Sequence, residues 1–440
     1  MHEISLSADE LTRVLLTVAD TERVCILDSC GVGHLGSHIL IAGIVPLELL
    51  EVSLDDPVET LRIFDEKLAD PNLAAIFTIS YDFGLKLQRI EPREKEFESL
   101  PEPDIFIALF DCLVVHDYDK RKTFVSGNDT KFAEIADLLN RAKDSDSNIT
   151  SKHGESTFAT SNFSKSAYLE SVEGIKELIR SGDTYQTNLT QQLTVKLSNE
   201  LTAAQIFSRL RHDHPAPFAA FVNRKDSAVI SASPERFIRI DTVGSVSASP
   251  IKGTRPRGKT AEEDNRLKTE LLNSEKDRAE NTMIVDLLRN DIGRICKFGS
   301  VTVEKLCDLE EHPTLFHLVS TVGGVLRNDI SYADIIEAVF PCGSITGAPK
   351  IRTMQIIEKL ETVNRGLSMG AIGYRIPESG FGIKGAFDMS VAIRTMVIRD
   401  RQAIFNVGGG IVIDSDPEKE YEEAMLKAKA LLNALGSEFL

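Results

Sequence analysis

The run Pro250-Ile251-Lys252-Gly253-Thr254-Arg255-Pro256-Arg257-Gly258 holds the side chain that decides more than any other in this chain. At its head Lys252 carries a primary amine. A neutral amine attacks electrophilic carbon, so a lysine in a pocket opens covalent catalysis. A small apolar residue there would leave only the addition of an external nucleophile. What pocket the run belongs to depends on the rest of the chain.

A chain of 440 residues buries a substantial core. Its length suits two or three ordinary domains or one large α/β body. With 42% hydrophobic and 27% charged residues it reads as a soluble globular protein. The net charge of −17 argues against nucleic acid, whose binding needs a basic surface. It also repels an anionic substrate at long range, so an anion site here must be locally basic, rich in backbone N–H groups, or supplied with a metal. Six cysteines without Cys-x-x-Cys spacing predict reduced thiols in a cytoplasmic protein. Met1-His2-Glu3-Ile4 lacks a basic region followed by an apolar core, so no signal peptide is expected. The longest apolar stretch, Ile39 to Leu50, contains Pro46 and Glu48 and is too short to span a bilayer, which leaves no membrane partner.

Residues 1–140 contain short β-rich runs, Val24-Cys25-Ile26-Leu27 and Ile105 to Phe110, with a helical patch around Val58 to Leu68. From Arg141 to Asn162 the composition shifts to Asp, Ser, Asn, Thr and Gly, which predicts a surface linker over 141–162. Phe163-Ser164-Lys165 then opens a helix, with apolar residues at Tyr168, Val172, Ile175, Leu178 and Ile179. It stops near Gly182, and a strand runs from Gln186 to Val195.

Asp277 and Glu280 lie one turn apart ahead of Met283, Ile284, Leu287 and Leu288, on helical spacing. Glu420 and Glu423 are again three apart, after a cap and Pro417 that open a second helix. Two acidic pairs converging from separate helices suit a hard divalent cation bound through oxygen, and Mg²⁺ keeps several waters and bridges to anionic ligands. The plain alternative is that acids in a helix's first turn complement its dipole and face water.

Gly408-Gly409-Gly410 sits inside the strand pattern from Ala403 to Ile413. Three glycines there weaken a strand, so close backbone approach to a ligand, or a bulge, accounts for them. Pro341-Cys342-Gly343-Ser344-Ile345-Thr346-Gly347-Ala348-Pro349-Lys350 precedes a helix from Ile351 to Leu360, which is an anion site or a capping turn. Arg394, read as part of a strand, pairs with an acid or clamps a carboxylate. Tyr374 is a second ligand for the same group or a core residue, and His317 a proton carrier or a structural histidine.

Taken in order, these stretches resemble the signatures of the chorismate-utilising family, which includes anthranilate, aminodeoxychorismate, isochorismate and salicylate synthases. The resemblance covers Ser181 to about Gly436. It runs through Gly182-Asp183-Thr184-Tyr185-Gln186-Thr187-Asn188-Leu189, Ser233-Pro234-Glu235-Arg236-Phe237, the Lys252 run, Asp286 to Arg294, His317-Leu318-Val319-Ser320, Gly343 to Lys350, Gly370 to Tyr374 and Gly408 to Glu423.

The resemblance implies an α/β (α+β) body with central β-sheets forming a sandwich and helices outside. An N-terminal region 1–140 and a chorismate-binding catalytic region 163–440 would interleave into one body. It further implies chorismate as substrate and Mg²⁺ as cofactor, with Glu280 and Glu423 as direct ligands and Asp277 and Glu420 beside them. Gly253, Thr254, Ser344, Tyr374, Arg394 and the amides of Gly408, Gly409 and Gly410 become substrate contacts, and Lys252, Glu235 and His317 the catalytic groups.

Two positions separate the branches. Isochorismate and salicylate synthases activate water with a lysine where this chain has Gln186, and an amide is no base. Anthranilate synthases carry alanine at position 252, whereas aminodeoxychorismate synthases carry this lysine. The resemblance therefore implies that Lys252 attacks ring carbon 2 while the hydroxyl leaves carbon 4. Ammonia then adds at carbon 4 and expels the lysine, with Glu235 as the general acid. Anthranilate synthase component I is the alternative enzyme, and a non-catalytic chorismate-binding protein the alternative class. Ammonia comes from a glutamine amidotransferase subunit in this family. No Gly-x-Cys-x-Gly run occurs here, so that subunit is expected as a separate partner.

Overall fold

The computed structural model describes residues 1–33, 38–144, 157–311 and 315–439. Two large sheets form its centre, one of 13 strands and one of 10. Each draws on both ends of the chain. In the first sheet, strand Val24–Asp28 pairs with Phe218–Asn223, so an N-terminal strand bonds directly to a later one. In the second, Ala74–Ile79 pairs with Ala371–Ile376. Hydrogen-bonded seams of this kind make one body of what composition divides into regions.

The run Ile105–Phe110 shows why the sheets stack. All six of its residues are buried, and successive side chains on a strand point to opposite faces. Phe106, Ala108 and Phe110 enter the layer between the sheets, with Ile41, Val115 and Val222 of the first sheet facing them. Ile105, Ile107 and Leu109 point outward, beneath Leu61, Phe64, Ile284 and Leu288 on the covering helices. The outer face of the first sheet is covered by Leu11, Val14 and Leu15 from helix Ala8–Val18, Phe207 from Ala203–Asp213 and Leu431 from Pro417–Leu435. The architecture is therefore a sandwich of sheets with helices outside.

Local sequence accounts for the helices that matter to the site. Helix Glu275–Gly293 starts where the Ser274 side chain accepts from the Asp277 amide. Helix Pro417–Leu435 starts at Asp416, which accepts from Lys419, with Pro417 in its first turn and Gly436 at φ 65 after its end. Helix Lys165–Arg180 buries Tyr168, Val172 and Ile175, and strand Gln186–Lys196 follows it.

Two expectations change. The linker over 141–162 contracts from both ends: residues 141–144 finish helix Phe132–Asp144, and Thr157–Ser161 is a strand paired with Gln186–Lys196. Its remaining part, 145–156, lies outside the described residues. Arg394 is not in a strand but at a bend with φ 49, between strands Ala386–Val391 and Thr395–Arg399.

The sheets are also pinned by charge. Arg224, in the turn after Phe218–Asn223, is fully buried and reaches the second sheet, where it donates to Thr78 and to Glu102, each at 2.6 Å. Its guanidinium stacks 5.4 Å from the centre of the Phe106 ring. Glu102→Ala leaves this cation buried without its partner and should cost about 3–5 kcal/mol in urea denaturation, whereas Glu102→Gln, which keeps an acceptor, should cost less.

Candidate active site

Lys252 lies on Ile251–Pro256, an edge strand of the second sheet paired with Leu315–Val325. The pairing is irregular between Ile251 and Thr254, and Gly253 inside the irregularity has φ +81. A bulge of this kind re-aims the side chain next to it. Helix Glu275–Gly293 packs tightly beneath, since a Cβ on Gly253 would lie 3.0 Å from the Asp277 side chain. The half-buried Lys252 thus turns inward, and its Nζ donates to the Ser344 carbonyl at 3.3 Å.

Glu235 is placed by topology. The chain leaves the first sheet at Ser233 and enters the second at Arg236, so Pro234 and Glu235 form the crossing between them. Glu235 is 6% exposed. Burial raises its carboxyl pKa, while Lys252 nearby and a hydrogen bond from the Ser344 side chain offset part of the rise. A carboxyl that holds its proton closer to neutral pH suits a general acid.

The loop carrying Ser344 is held from both sides. Leu287 packs so close to Gly343 that a Cβ there would lie 2.5 Å from it. Buried Arg365 donates to the Ile345 carbonyl at 3.0 Å and to the Asn188 carbonyl at 2.9 Å, while Glu361 holds its other nitrogens.

The predicted acidic residues converge, though not as a closed set. Glu280 from helix Glu275–Gly293 and Glu420 from helix Pro417–Leu435 flank one cation, the Lys276 ammonium, at 3.9 and 3.8 Å. Burial raises the pKa of Glu280, opposed by Lys252 and Lys276. At Glu423 burial also acts upward, but Lys427 at 2.8 Å, with Lys276 and Lys252 behind it, holds the carboxyl below its ordinary range. Asp277 turns the other way, to Arg255 at 3.3 Å. Among the described residues no three acidic, histidine or cysteine side chains group tightly enough to cage a metal. Mg²⁺ needs no such cage: one or two carboxylates suffice, with waters and ligand oxygens completing its octahedron. Hard oxygen donors already arranged around a cation fit it.

The glycine triplet has two explanations. A Cβ on Gly408 would fall 1.9 Å from the Leu189 carbonyl, so the neighbouring strand's backbone requires that glycine, whereas at Gly410 the space is taken by the Gln186 side-chain amide, 1.9 Å from where a Cβ would lie. Gly409 faces Glu420 and Lys427. The buried Gln186 side chain has no hydrogen-bond partner for its Oε1 among the described residues.

The remaining predicted residues scatter. His317 is buried and its Nδ1 lies 2.9 Å from Oγ1 of Thr254, its cross-strand partner. Arg394 at its bend is accessible to solvent, yet the protein packed around its guanidinium desolvates it and lowers its pKa, and it makes no side-chain ion pair among the described residues. Tyr374 lies elsewhere, in a cavity of about 40 Å³ between the sheets with Leu27, Ser29, Phe218 and Asp388. Burial, and then Asp388, raise its phenol pKa. Sequence reasoning missed Lys276 and Lys427, which supply the local positive charge; Lys427 also donates to the Gly408 carbonyl at 3.0 Å. Their signal was the (i, i+4) spacing to Glu280 and Glu423.

Known proteins resemble this chain along most of its length. The chorismate binding enzyme family matches residues 46–433. Aminodeoxychorismate synthase component 1 of Bacillus subtilis is 38% identical over 371 residues, covering 82% of this chain and 76% of the relative. The chloroplastic aminodeoxychorismate synthase of Arabidopsis thaliana is 36% identical over 404 residues. That match covers 88% of this chain but only 42% of the plant protein, so the chain spans less than half of that relative. The crystal structure of anthranilate synthase component I from Streptococcus pneumoniae superposes with a TM-score of 0.77 at 28% identity, covering 91% of this chain and 93% of that one.

Removing the Lys276 ammonium tests the cation site without reference to turnover. Lys276→Met leaves Glu280 and Glu420 facing without a cation, so its melting temperature in chelator should fall. Mg²⁺ at about 100 times its Kd should then return about 2.7 kcal/mol. A variant whose thermal stability ignores Mg²⁺ would count against a metal at this place.

Proposed function

This chain belongs to the chorismate binding enzymes, and we propose that it exchanges the 4-hydroxyl of chorismate for an amino group, giving 4-amino-4-deoxychorismate. One observation carries the choice of reaction. The Lys252 amine points into the protein, onto the Ser344 carbonyl at 3.3 Å, within electrostatic reach of the buried Glu235. A nucleophile and an acid brought together from a strand and a sheet crossing suit a displacement in two stages.

In the first stage the neutral amine of Lys252 bonds to ring carbon 2. Both ring double bonds move one place along the ring, and the hydroxyl leaves carbon 4 as water, protonated by Glu235. In the second stage ammonia bonds to carbon 4, both double bonds return and the lysine is expelled, and the proton shed by the new ammonium group restores Glu235. Splitting one hard substitution into two easier ones is the gain of covalent catalysis. Mg²⁺, held by Glu280 and Glu423 with Glu420 beside them, would neutralise a substrate carboxylate and fix its orientation. Arg394, open at its bend, and the Gly409 backbone would meet substrate carboxylates. His317, tied to Thr254, would act as a proton carrier at the rim of the bulge. Asp277 would act through Arg255 and Gly253 on the shape of that bulge.

The Bacillus subtilis relative is named as a component 1, which supports a second component for this chain too. We assign that partner the hydrolysis of glutamine and the delivery of ammonia. Six free cysteines support a cytoplasmic setting, and no helix among the described residues is long and apolar enough to cross a membrane. The likeness to anthranilate synthase keeps a second reading in view, amination at carbon 2 with loss of pyruvate. Lys252 speaks against it, because that route needs no protein nucleophile.

Incubation with chorismate and Mg²⁺ but no ammonia should give a substrate-derived mass on Lys252, absent in Lys252→Ala. With ammonia, a fluorescent anthranilate product would replace the present reading by the second. The acid role of Glu235 has a signed consequence for pH. Its raised pKa extends the protonated form upward, and the rate should fall as pH rises through that value. Glu235→Gln should lose that limb together with roughly 10²–10⁴ in kcat.

A further inference from the structure

Asn281 follows Glu280 inside helix Glu275–Gly293 and is fully buried. Asparagine is a poor helix former. Its neighbours on the same helix face, Ile284, Val285 and Leu288, are apolar and buried. An apolar side chain at 281 would suit both helix and core, so the amide answers some other demand.

Its hydrogen bonds show which. Asn281 Nδ2 donates to the Leu318 carbonyl at 3.3 Å, and Oδ1 accepts from the Ser320 hydroxyl at 2.5 Å. Chemistry fixes both directions. A carbonyl only accepts, so the amide nitrogen has to face Leu318. Ser320 Oγ also accepts the Cys307 amide at 2.9 Å, which leaves its own proton for Asn281. Leu318 and Ser320 belong to strand Leu315–Val325, and both are fully buried. The Ser320 backbone amide donates in turn to the Pro250 carbonyl at 3.2 Å, two residues ahead of Lys252. Two hydrogen bonds joined through Ser320 thus lead from the helix to the strand of the nucleophile.

The same helix face meets that strand again one turn earlier, where a Cβ on Gly253 would lie 3.0 Å from the Asp277 side chain. Close packing there stops the helix coming nearer; the hydrogen bonds of Asn281 stop it sliding or turning. Placement along this seam bears on the chemistry, because Glu280 rides on the helix and Lys252 on the strand. The ring of chorismate is rigid, and carbon 2 adjoins the carbon that bears a carboxylate. With that carboxylate held at Glu280 through Mg²⁺, the spacing from Glu280 to Lys252 decides whether carbon 2 comes within bonding reach of the amine.

We propose that Asn281 is a positioning residue for the amination: its side-chain amide locks helix Glu275–Gly293 in register with strand Leu315–Val325, and so sets the spacing between Glu280 and Lys252. This rests on the reading of Lys252 as the nucleophile and Glu280 as a metal ligand. A single buried asparagine acts in the same way between paired helices, where it fixes register at a cost in stability.

The test follows formation of the Lys252 adduct by mass spectrometry, with chorismate and Mg²⁺ but no ammonia. Wild type is compared with Asn281→Leu and Ser320→Ala, each well below its melting temperature. The adduct adds the mass of chorismate less one water, because the amine displaces the hydroxyl. Leucine branches at the same carbon as asparagine and loses both hydrogen bonds. Its adduct rate constant at saturating chorismate should fall roughly 10–100-fold, the effect of a misplacement of about 1 Å. The chorismate concentration for half-maximal rate should change less than about threefold. Mg²⁺ affinity, titrated calorimetrically without substrate, should weaken roughly tenfold as Glu280 shifts relative to Glu423. Ser320→Ala removes one bond and should lose less, and adding it to Asn281→Leu should cost nothing further. An amide that serves stability alone would lower the melting temperature and leave adduct rate and Mg²⁺ affinity at wild-type values. That outcome overturns the proposal. Should Asn281→Leu not fold, Ser320→Ala decides by the same readouts. Absence of any adduct, or of Mg²⁺ binding, in wild type would instead overturn the reading beneath it, so the two failures are distinguishable.

Discussion

The buried ion pair of Arg365 and Glu361 is the constraint from which the geometry of the site follows. Arg365 sits 3% exposed, with both Glu361 oxygens at 2.7 and 2.8 Å. Glu361 in turn accepts the Thr190 amide at 2.8 Å and its hydroxyl at 2.9 Å. Breaking such a pair leaves a charge without water or partner, at a cost of several kcal/mol. The guanidinium spends its other donors on the Ile345 and Asn188 carbonyls, and its face lies 4.4 Å from the centre of the Tyr81 ring. Loop, strand and helix therefore share one anchor. Ser344, next to Ile345, inherits that precision, and Lys252 and Glu235 are both placed relative to Ser344.

The charge balance works at two scales. A chain of net charge −17 repels an anion from afar. Within the site the lysines are concentrated: Lys252, Lys276 and Lys427 stand among Glu235, Glu280, Glu420 and Glu423. The same mixture divides the acids. Burial dominates at Glu235 and Glu280 and raises their pKa values, whereas lysines dominate at Glu423 and lower it. Neighbouring carboxyls with pKa values pushed in opposite directions are equipped for different tasks.

Much of the fold could be read from the residues. The doubly buried strand Ile105–Phe110 announces itself as an unbroken apolar run, and the helix beginning at Lys165 as a 3.6-residue period behind a serine cap. Placement of side chains was harder to read. Arg394 was expected in a strand because its neighbours are apolar, yet it occupies a bend at φ 49. Asp277 and Glu280 share helical spacing, but Asp277 answers Arg255 on the strand beneath it. Gly408 and Gly410 suggested a ligand, while the strand beside them explains the first through its backbone and crowds the second with the Gln186 side chain. In each case the partner is distant in sequence, and local periodicity carries no information about it.

Sequence alone therefore established which segments become strands and helices, because hydrophobic period, caps and turn residues act within a few positions of one another. Through the order of its motifs it also pointed to the family and to the chemical types expected at the site: an amine, an acid and paired carboxylates. The fold decided which of these groups meet. The bulge at Gly253 swings Lys252 inward, the crossing between sheets buries Glu235, and two helices far apart in the chain bring Glu280 and Glu420 to a single ammonium. Those meetings depend on directions in space and on solvent exclusion, which arise only once the sheets have stacked.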